Sequence, residues 1–274
     1  MDCNLKPGCT GKSASLIGAL FFVLLFSLNE SAAEALQPAA YTAEIGVSAM
    51  RFHYAEFKDD GTILDRELGN IPGLSFRLTQ RVSAWEWEGK ASYHYGRVSY
   101  TGQTNFGVPY NTRTDEGISD VALRLGRWFE GSYPIMPYAG LGYRRWNRDI
   151  RSASLAGLFE SYRWKYAWLG AKIIAYQQGS AHFTLDIGWL RPIEPVMHVG
   201  AYHASLYPES RDGLRLMLTN YMTLSEKTTL ILEPYYEYWE LGRSPGVTTG
   251  GLTVYEPASK TTNLGFNLRL GWVF

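Results

Sequence analysis

Over 274 residues the chain carries 26 lysines and arginines against 26 aspartates and glutamates, a balance that excludes a nucleic-acid partner or a polybasic membrane-surface role. Hydrophobic residues make up 46% of it, yet beyond the N-terminal region no apolar run is long enough for a helical membrane span. Both cysteines, Cys3 and Cys9, lie near the N-terminus, so the rest of the chain has no disulfide, cysteine nucleophile or thiolate metal site.

The first segment reads as an export signal. Lys6 and Lys12 precede an apolar stretch at 16–28, and the small residues Ser31, Ala32, Ala33 and Ala35 follow. Cleavage after Ala33 or Ala35 is expected, giving a signal peptide at 1–35 and one mature domain at 36–274. The cysteines lie upstream of the apolar stretch, which excludes them as lipid-modified residues.

From about Tyr41 onward, apolar residues alternate with polar or small ones at the period of two that only a strand separates onto two faces. In the first strand Ile45, Val47 and Ala49 oppose Glu44, Gly46 and Ser48, after which the parity shifts. The second sets Leu74, Phe76 and Leu78 against Ser75, Arg77 and Thr79. The third sets Trp85, Trp87, Ala91, Tyr93 and Tyr95 against Glu86, Glu88, Lys90, Ser92 and His94. Strands four and five place Val121, Leu123, Leu125, Ala139, Leu141 and Tyr143 opposite Asp120, Ala122, Arg124, Gly140, Gly142 and Arg144. In strand six Tyr162, Trp164, Tyr166 and Trp168 form the apolar set against Arg163 and Lys165. Lys172 then falls on the apolar parity, which calls for a bulge near Gly170. Strands seven to nine oppose Ile187, Trp189, Leu214, Leu218, Leu232 and Tyr236 to Asp186, Gly188, Arg215, Thr219, Glu233 and Glu237, with Pro234 inside the ninth. The last strand separates Leu264, Phe266, Leu268, Leu270, Trp272 and Phe274 from Asn263, Gly265, Asn267, Arg269 and Gly271.

Connections alternate between short joints, near Ser83, 131–133, 178–180 and 225–227, and longer polar ones at 57–70, 102–116, 149–160, 192–213 and 242–260. Short periplasmic turns, long extracellular loops and an even strand count are the pattern of outer-membrane barrels. The fold expected is therefore all-β: a closed antiparallel transmembrane β-barrel of about ten strands in up-and-down order. Apolar faces meet lipid, Trp and Tyr near strand ends form interfacial girdles, and closure leaves no backbone edge in hydrocarbon.

The opposite face becomes a charged lumen. Its expected members are seven acids, Glu44, Glu86, Glu88, Asp120, Asp186, Glu233 and Glu237, and eight bases, Arg77, Lys90, Arg124, Arg144, Arg163, Lys165, Arg215 and Arg269. Near-equal numbers point to cross-strand pairs filling the lumen rather than to an open pore, which would show a constriction ring of one sign.

The ending 267–274, with Asn267, Trp272 and Phe274, resembles the C-terminal signal by which Gram-negative outer-membrane proteins are recognised for assembly; Arg269 stands where that pattern has glycine. The mature chain resembles small outer-membrane barrels, including the ten-stranded omptins, in architecture only. The resemblance implies an outer-membrane location, with membrane lipid, lipopolysaccharide and the barrel-assembly machinery as partners.

No catalytic residue, metal or cofactor is assigned. Omptins place paired acids and an Asp-His pair near the extracellular rim; here Asp59 and Asp60 lie in the first long loop and His198 and His203 in the fourth, with no Asp at the family's spacing before either His. His94 and His182 share the polar parity and read as network members. Asp59, Asp60, Asp65 and Glu67 offer oxygen ligands for Ca²⁺ but fit a solvated turn better. Loop aromatics Phe106, Tyr110, Phe159, Tyr202, Tyr207 and Tyr255 either present a contact surface for an unspecified extracellular ligand or fold back onto the rim. The functional expectation is a barrel with a largely occluded lumen and a surface or structural role. The alternatives are a narrow solute channel and a rim enzyme acting on peptide or lipid A.

Overall fold

The computed structural model describes residues 40–103, 107–151, 158–178 and 181–274; the expected signal peptide and Phe106 lie outside them. Fourteen strands follow one another: β1 (Ala40–Phe57), β2 (Ile63–Val82), β3 (Trp85–Gln103), β4 (Pro109–Arg127), β5 (Ile135–Ile150), β6 (Leu158–Gln178), β7 (Ala181–Val199), β8 (Ala204–Leu206), β9 (Glu209–Ser210), β10 (Gly213–Ser225), β11 (Thr228–Gly242), β12 (Val247–Thr249), β13 (Leu252–Val254) and β14 (Ala258–Val273). Ten of them close a ring. β1 through β7 pair each with the next, β7 pairs with β10, β10 with β11, β11 with β14, and β14 with β1. Every pairing is antiparallel. The short β8 and β9 lie on the β7–β10 connection, and β12 and β13 form a separate hairpin between β11 and β14.

The strands are longer than the expected spans because they run on into the segments read as loops. β1 continues to Phe57 and β2 starts at Ile63, so the connection expected at 57–70 shrinks to a turn in which Asp60 accepts the Thr62 amide. A 19-residue strand such as β3, rising ~3.3 Å per residue and tilted ~40°, reaches about 48 Å along the axis. The apolar band of such barrels is only ~25 Å tall, so the wall stands well clear of the hydrocarbon.

That height explains two differences from the sequence-based expectation. In β1 the parity does not shift: Met50, Phe52 and Tyr54 are buried on the same inward face as Glu44 and Ser48, while Arg51 and His53 are exposed outside. In β6 the expected faces are reversed. Tyr162, Trp164, Tyr166 and Trp168 are buried inside, and Arg163 and Lys165 are exposed on the outer wall. The neighbouring strand makes room, since Gly142 lies directly across from Tyr166 and Gly140 across from Trp168. Lys172 therefore points inward without a bulge at Gly170; the β6–β7 register shifts instead at 163–165 and 174–176. Pro234 faces outward, and the ladder between β10 and β11 skips from Met217↔Tyr235 to Asn220↔Leu232 around it, which accommodates its missing N–H.

The outer wall carries the lipid band expected of it. Ile45, Val47, Leu74, Phe76, Val121, Leu123, Leu125, Leu141, Leu232, Leu264, Phe266 and Leu268 are all exposed there.

Candidate functional site: the barrel lumen and its outer wall

Of the fifteen residues expected in the lumen, thirteen are there, and Arg163 and Lys165 are not. Lys172 takes a place among them, which leaves seven bases against seven acids. The pairing is dense. Arg77 bonds Glu233 and approaches Glu44 at 3.5 Å and Glu88 at 3.6 Å. Arg124 bridges Glu88 (2.9 Å) and Asp186. Arg144 joins Asp120 (3.0 Å) to Glu237 (2.7 Å), and Arg215 also bonds Glu237. Arg269 links Glu44 (2.8 Å) and Glu233 (3.1 Å), while Lys172 reaches Glu86 (2.8 Å) and Glu88 (3.4 Å). Lys90 stands 3.8 Å from Glu88.

Aromatic rings fill the space between these charges, which is why β6 turns its rings inward. The Trp168 ring lies under Arg124 (4.7 Å), Lys90 (5.0 Å) and Arg215 (5.2 Å), and the Tyr138 ring under Arg124 (4.4 Å). The Tyr166 hydroxyl donates to Asp120 at 2.9 Å. A guanidinium held over a ring and bonded to carboxylates loses water on every side at less cost than one facing hydrocarbon. His94 belongs here too, 2.8 Å from the Ser48 hydroxyl. A cavity of about 70 Å³ remains among Ser75, Lys90, His94, Arg144, Met217 and Asn267.

Toward the end that carries the longer connections, the interior turns aromatic, with Trp146 against Tyr54 (4.9 Å) and Tyr162 (4.6 Å). A second polar group lies beyond it. Fully buried Arg148 bonds Glu160 (2.6 Å), Glu56 (2.9 Å) and Glu67 (3.1 Å), and Trp146 donates to Glu116. Tyr100 donates to Asp65, Thr114 to Glu67 at 2.6 Å, and Tyr162 to Glu256 at 2.6 Å. Burial, and then the nearby carboxylates of Glu56 and Glu160, push the Glu256 carboxyl well above the usual range. The sequence reading missed this group because Asp65, Glu67, Glu116, Glu160 and Glu256 fall in segments it took for loops. Strand-length alternation carried across 57–70 and 102–116 is the signal that finds the first three.

The four acids weighed as a Ca²⁺ loop are not brought together. Asp59 and Asp60 are exposed in the β1–β2 turn, Asp59 facing Arg243 at 3.4 Å, whereas Asp65 and Glu67 are buried inside the wall. His198 and His203 are exposed, and among the described residues no histidine bonds an aspartate or glutamate. Of the loop aromatics, Phe159, Tyr207 and Tyr255 are exposed, Tyr255 under Arg243 at 4.0 Å. Tyr202 packs on the core, and the Tyr110 hydroxyl donates to the Arg151 carbonyl. Asn267 donates to Glu233 inside the lumen, and Trp272 and Phe274 are exposed outside, Phe274 stacked on Tyr41.

On the outer wall the displaced cations form a group of their own. Arg163 lies directly across from Arg145, and Lys165 across from Tyr143, all four side chains exposed. Arg163 and Lys165 make no ion pair or hydrogen bond among the described residues. Two arginines facing each other across a ladder repel unless an anion sits between them.

No family model matches the chain, and no curated protein matches its sequence. Among solved structures, the outer-membrane protease OmpT of Escherichia coli matches with a TM-score of 0.60 at 8% identity, over 88% of this chain and 99% of that one. The outer-membrane protein OprG of Pseudomonas aeruginosa matches with a TM-score of 0.42 at 12% identity, over 86% of this chain and 96% of that one. The likeness to OmpT is one of fold: this chain has the architecture of a ten-stranded outer-membrane barrel.

Proposed function

We propose that this outer-membrane barrel is non-conducting, its lumen sealed by paired charges, and that it acts through its extracellular rim and outer wall. The observation that carries the reading is the belt of seven bases and seven acids spanning the lumen, to which every strand of the ring contributes. Arg124 is its hinge point, buried between Glu88 and Asp186 with Trp168 and Tyr138 against its planar faces. A pore that selects by a ring of charges lines its constriction with one sign; this belt mixes signs, and nearly all of its side chains are buried.

The outer wall supports a partner for it. Arg145 and Arg163 stand just above Tyr143 and Ile193, and Lys165 lies level with both, where the apolar surface gives way to exposed cations. That is the level of anionic headgroups, and arginine's planar fork suits phosphate. Lipopolysaccharide phosphates are the anions available to such a surface in an outer leaflet.

Planar-bilayer recording of the purified full chain tests the sealed lumen. The expected trace has no unitary steps, and replacing both Arg124 and Trp168 by alanine introduces them. Stable single-channel steps from the unmodified protein would overturn the reading.

A further inference from the structure

At the end of the barrel that carries the short turns and both outermost strand termini, the lumen opens into a cavity of about 310 Å³. Its walls come from most of the ring: Thr42 on β1, Thr79 on β2, Thr184 and His182 on β7, Tyr221 on β10 and Thr229 on β11. The ionic belt closes its floor through Glu44, Glu86 and Lys172. Three features distinguish it from a hydrated mouth with no ligand.

The charges it contains are already neutralised by their own partners. Glu44 is bonded to Arg269, Glu86 to Lys172 and Trp128, and Arg81 to Glu130. No net charge remains to attract an ion. Second, the hydroxyls of Thr42, Thr79, Thr184 and Thr229 have no side-chain hydrogen-bond partner among the described residues, and neither has the His182 ring. Thr184 is itself buried. Four donor-acceptor groups from four strands thus converge on one space. Third, that space has flat walls: His182 and Tyr221 stack at 4.2 Å with their planes 8° apart, and the Trp128 indole stands among the lining residues.

We infer that this vestibule binds a neutral, hydroxyl-rich ligand of about the size of one sugar ring, presented from the periplasmic side. Hydroxyls that both donate and accept match a sugar's own hydroxyls, and aromatic walls match its C–H faces. An anionic or cationic ligand finds no uncompensated partner here. The volume stands at the lower edge of small-molecule sites, ~300–1,000 Å³, which limits the ligand to a single ring.

The test uses the whole refolded protein in a zwitterionic detergent without a sugar headgroup, labelled on threonine methyls and titrated with N-acetylglucosamine. The expected result is saturable shifts at Thr42, Thr79, Thr184 and Thr229, with none at Thr114 or Thr219, whose hydroxyls are committed to Glu67 and Glu233. N-Acetylglucosamine and glucose bind alike, and glucuronate, the glucose ring with its C6 hydroxymethyl replaced by a carboxylate, binds more weakly. The isosteric pair Thr79→Val with Thr184→Val weakens N-acetylglucosamine about tenfold, as expected for two lost hydrogen bonds, while heat-modifiable gel migration stays unchanged. Shifts that are linear rather than saturable, shifts spread equally over Thr114 and Thr219, or tighter binding of glucuronate would each overturn the assignment.

Discussion

Tyr166 on β6 lies directly across from Gly142 on β5, and a Cβ at position 142 would come within 2.1 Å of the tyrosine ring. The glycine is what allows β6 to turn its rings inward, because the ring occupies the volume a side chain would need. Gly142→Val should therefore destabilise the barrel by about 1–3 kcal/mol through overpacking. Urea titration followed by tryptophan fluorescence in vesicles measures this; an unchanged midpoint would mean that the wall shifts freely at that level.

Arg124 bridges Glu88 and Asp186, of which Glu88 also has Arg77 at 3.6 Å and Lys172 at 3.4 Å, and its side chain is 1% exposed. Arg124→Met leaves Glu88 and Asp186 buried with less compensation and should cost about 3–5 kcal/mol. Adding Glu88→Gln and Asp186→Asn to the same chain should recover most of the loss. If the triple variant is no more stable than the single one, the cost comes from lost packing over Trp168 and Tyr138 instead.

The raised Glu256 carboxyl makes the β11–β14 connection sensitive to alkali. Its proton is held more tightly in the folded protein than in the unfolded chain, so its contribution is complete below the ordinary carboxylate range and is lost as pH rises through the elevated value. Glu56, Glu160, Arg148 and Tyr162 surround it. Limited proteolysis at 243–257 should accelerate with rising pH in the natural chain, and Glu256→Gln should abolish that dependence. A pH-independent cleavage rate in the natural chain would contradict it.

Reversing two outer-wall charges, Arg163→Glu with Lys165→Glu, should weaken lipopolysaccharide binding tenfold or more, since each charge-assisted contact is worth ~1.5–3 kcal/mol. Refolding yield in neutral detergent should not change, because neither side chain has an internal partner. Equal binding by both proteins would remove the outer wall from the proposed role.

Which parts of this were legible in the sequence follows from where each segment sits. In β4, β7, β10 and β14 the apolar residues face lipid along the membrane band, so alternation alone assigns the faces of Leu123, Ile187, Leu218 and Phe266 correctly. Above the band the solvents exchange places. The outer wall meets water there and the interior packs rings, so in β1 Arg51 and His53 point out while Phe52 and Tyr54 point in, and the polarity inverts although the backbone does not. β6 adds a different difficulty. Trp and Tyr suit both a lipid girdle and a charged lumen, so their periodicity fixes that they share a face without saying which. The inward glycines of β5, paired residue for residue with them, carry that information.

β14 is bonded to β11 on one side and to β1 on the other, the latter from Thr42↔Val273 through Phe57↔Ala258. These are among the most distant pairings the chain can make, so their entropic cost falls at the end of folding rather than its start. Until that keystone is set, an open sheet with two bare margins persists, vulnerable to joining another chain. Assembly of this protein is therefore all-or-nothing at its seam: no shorter ring is available from the strands made first.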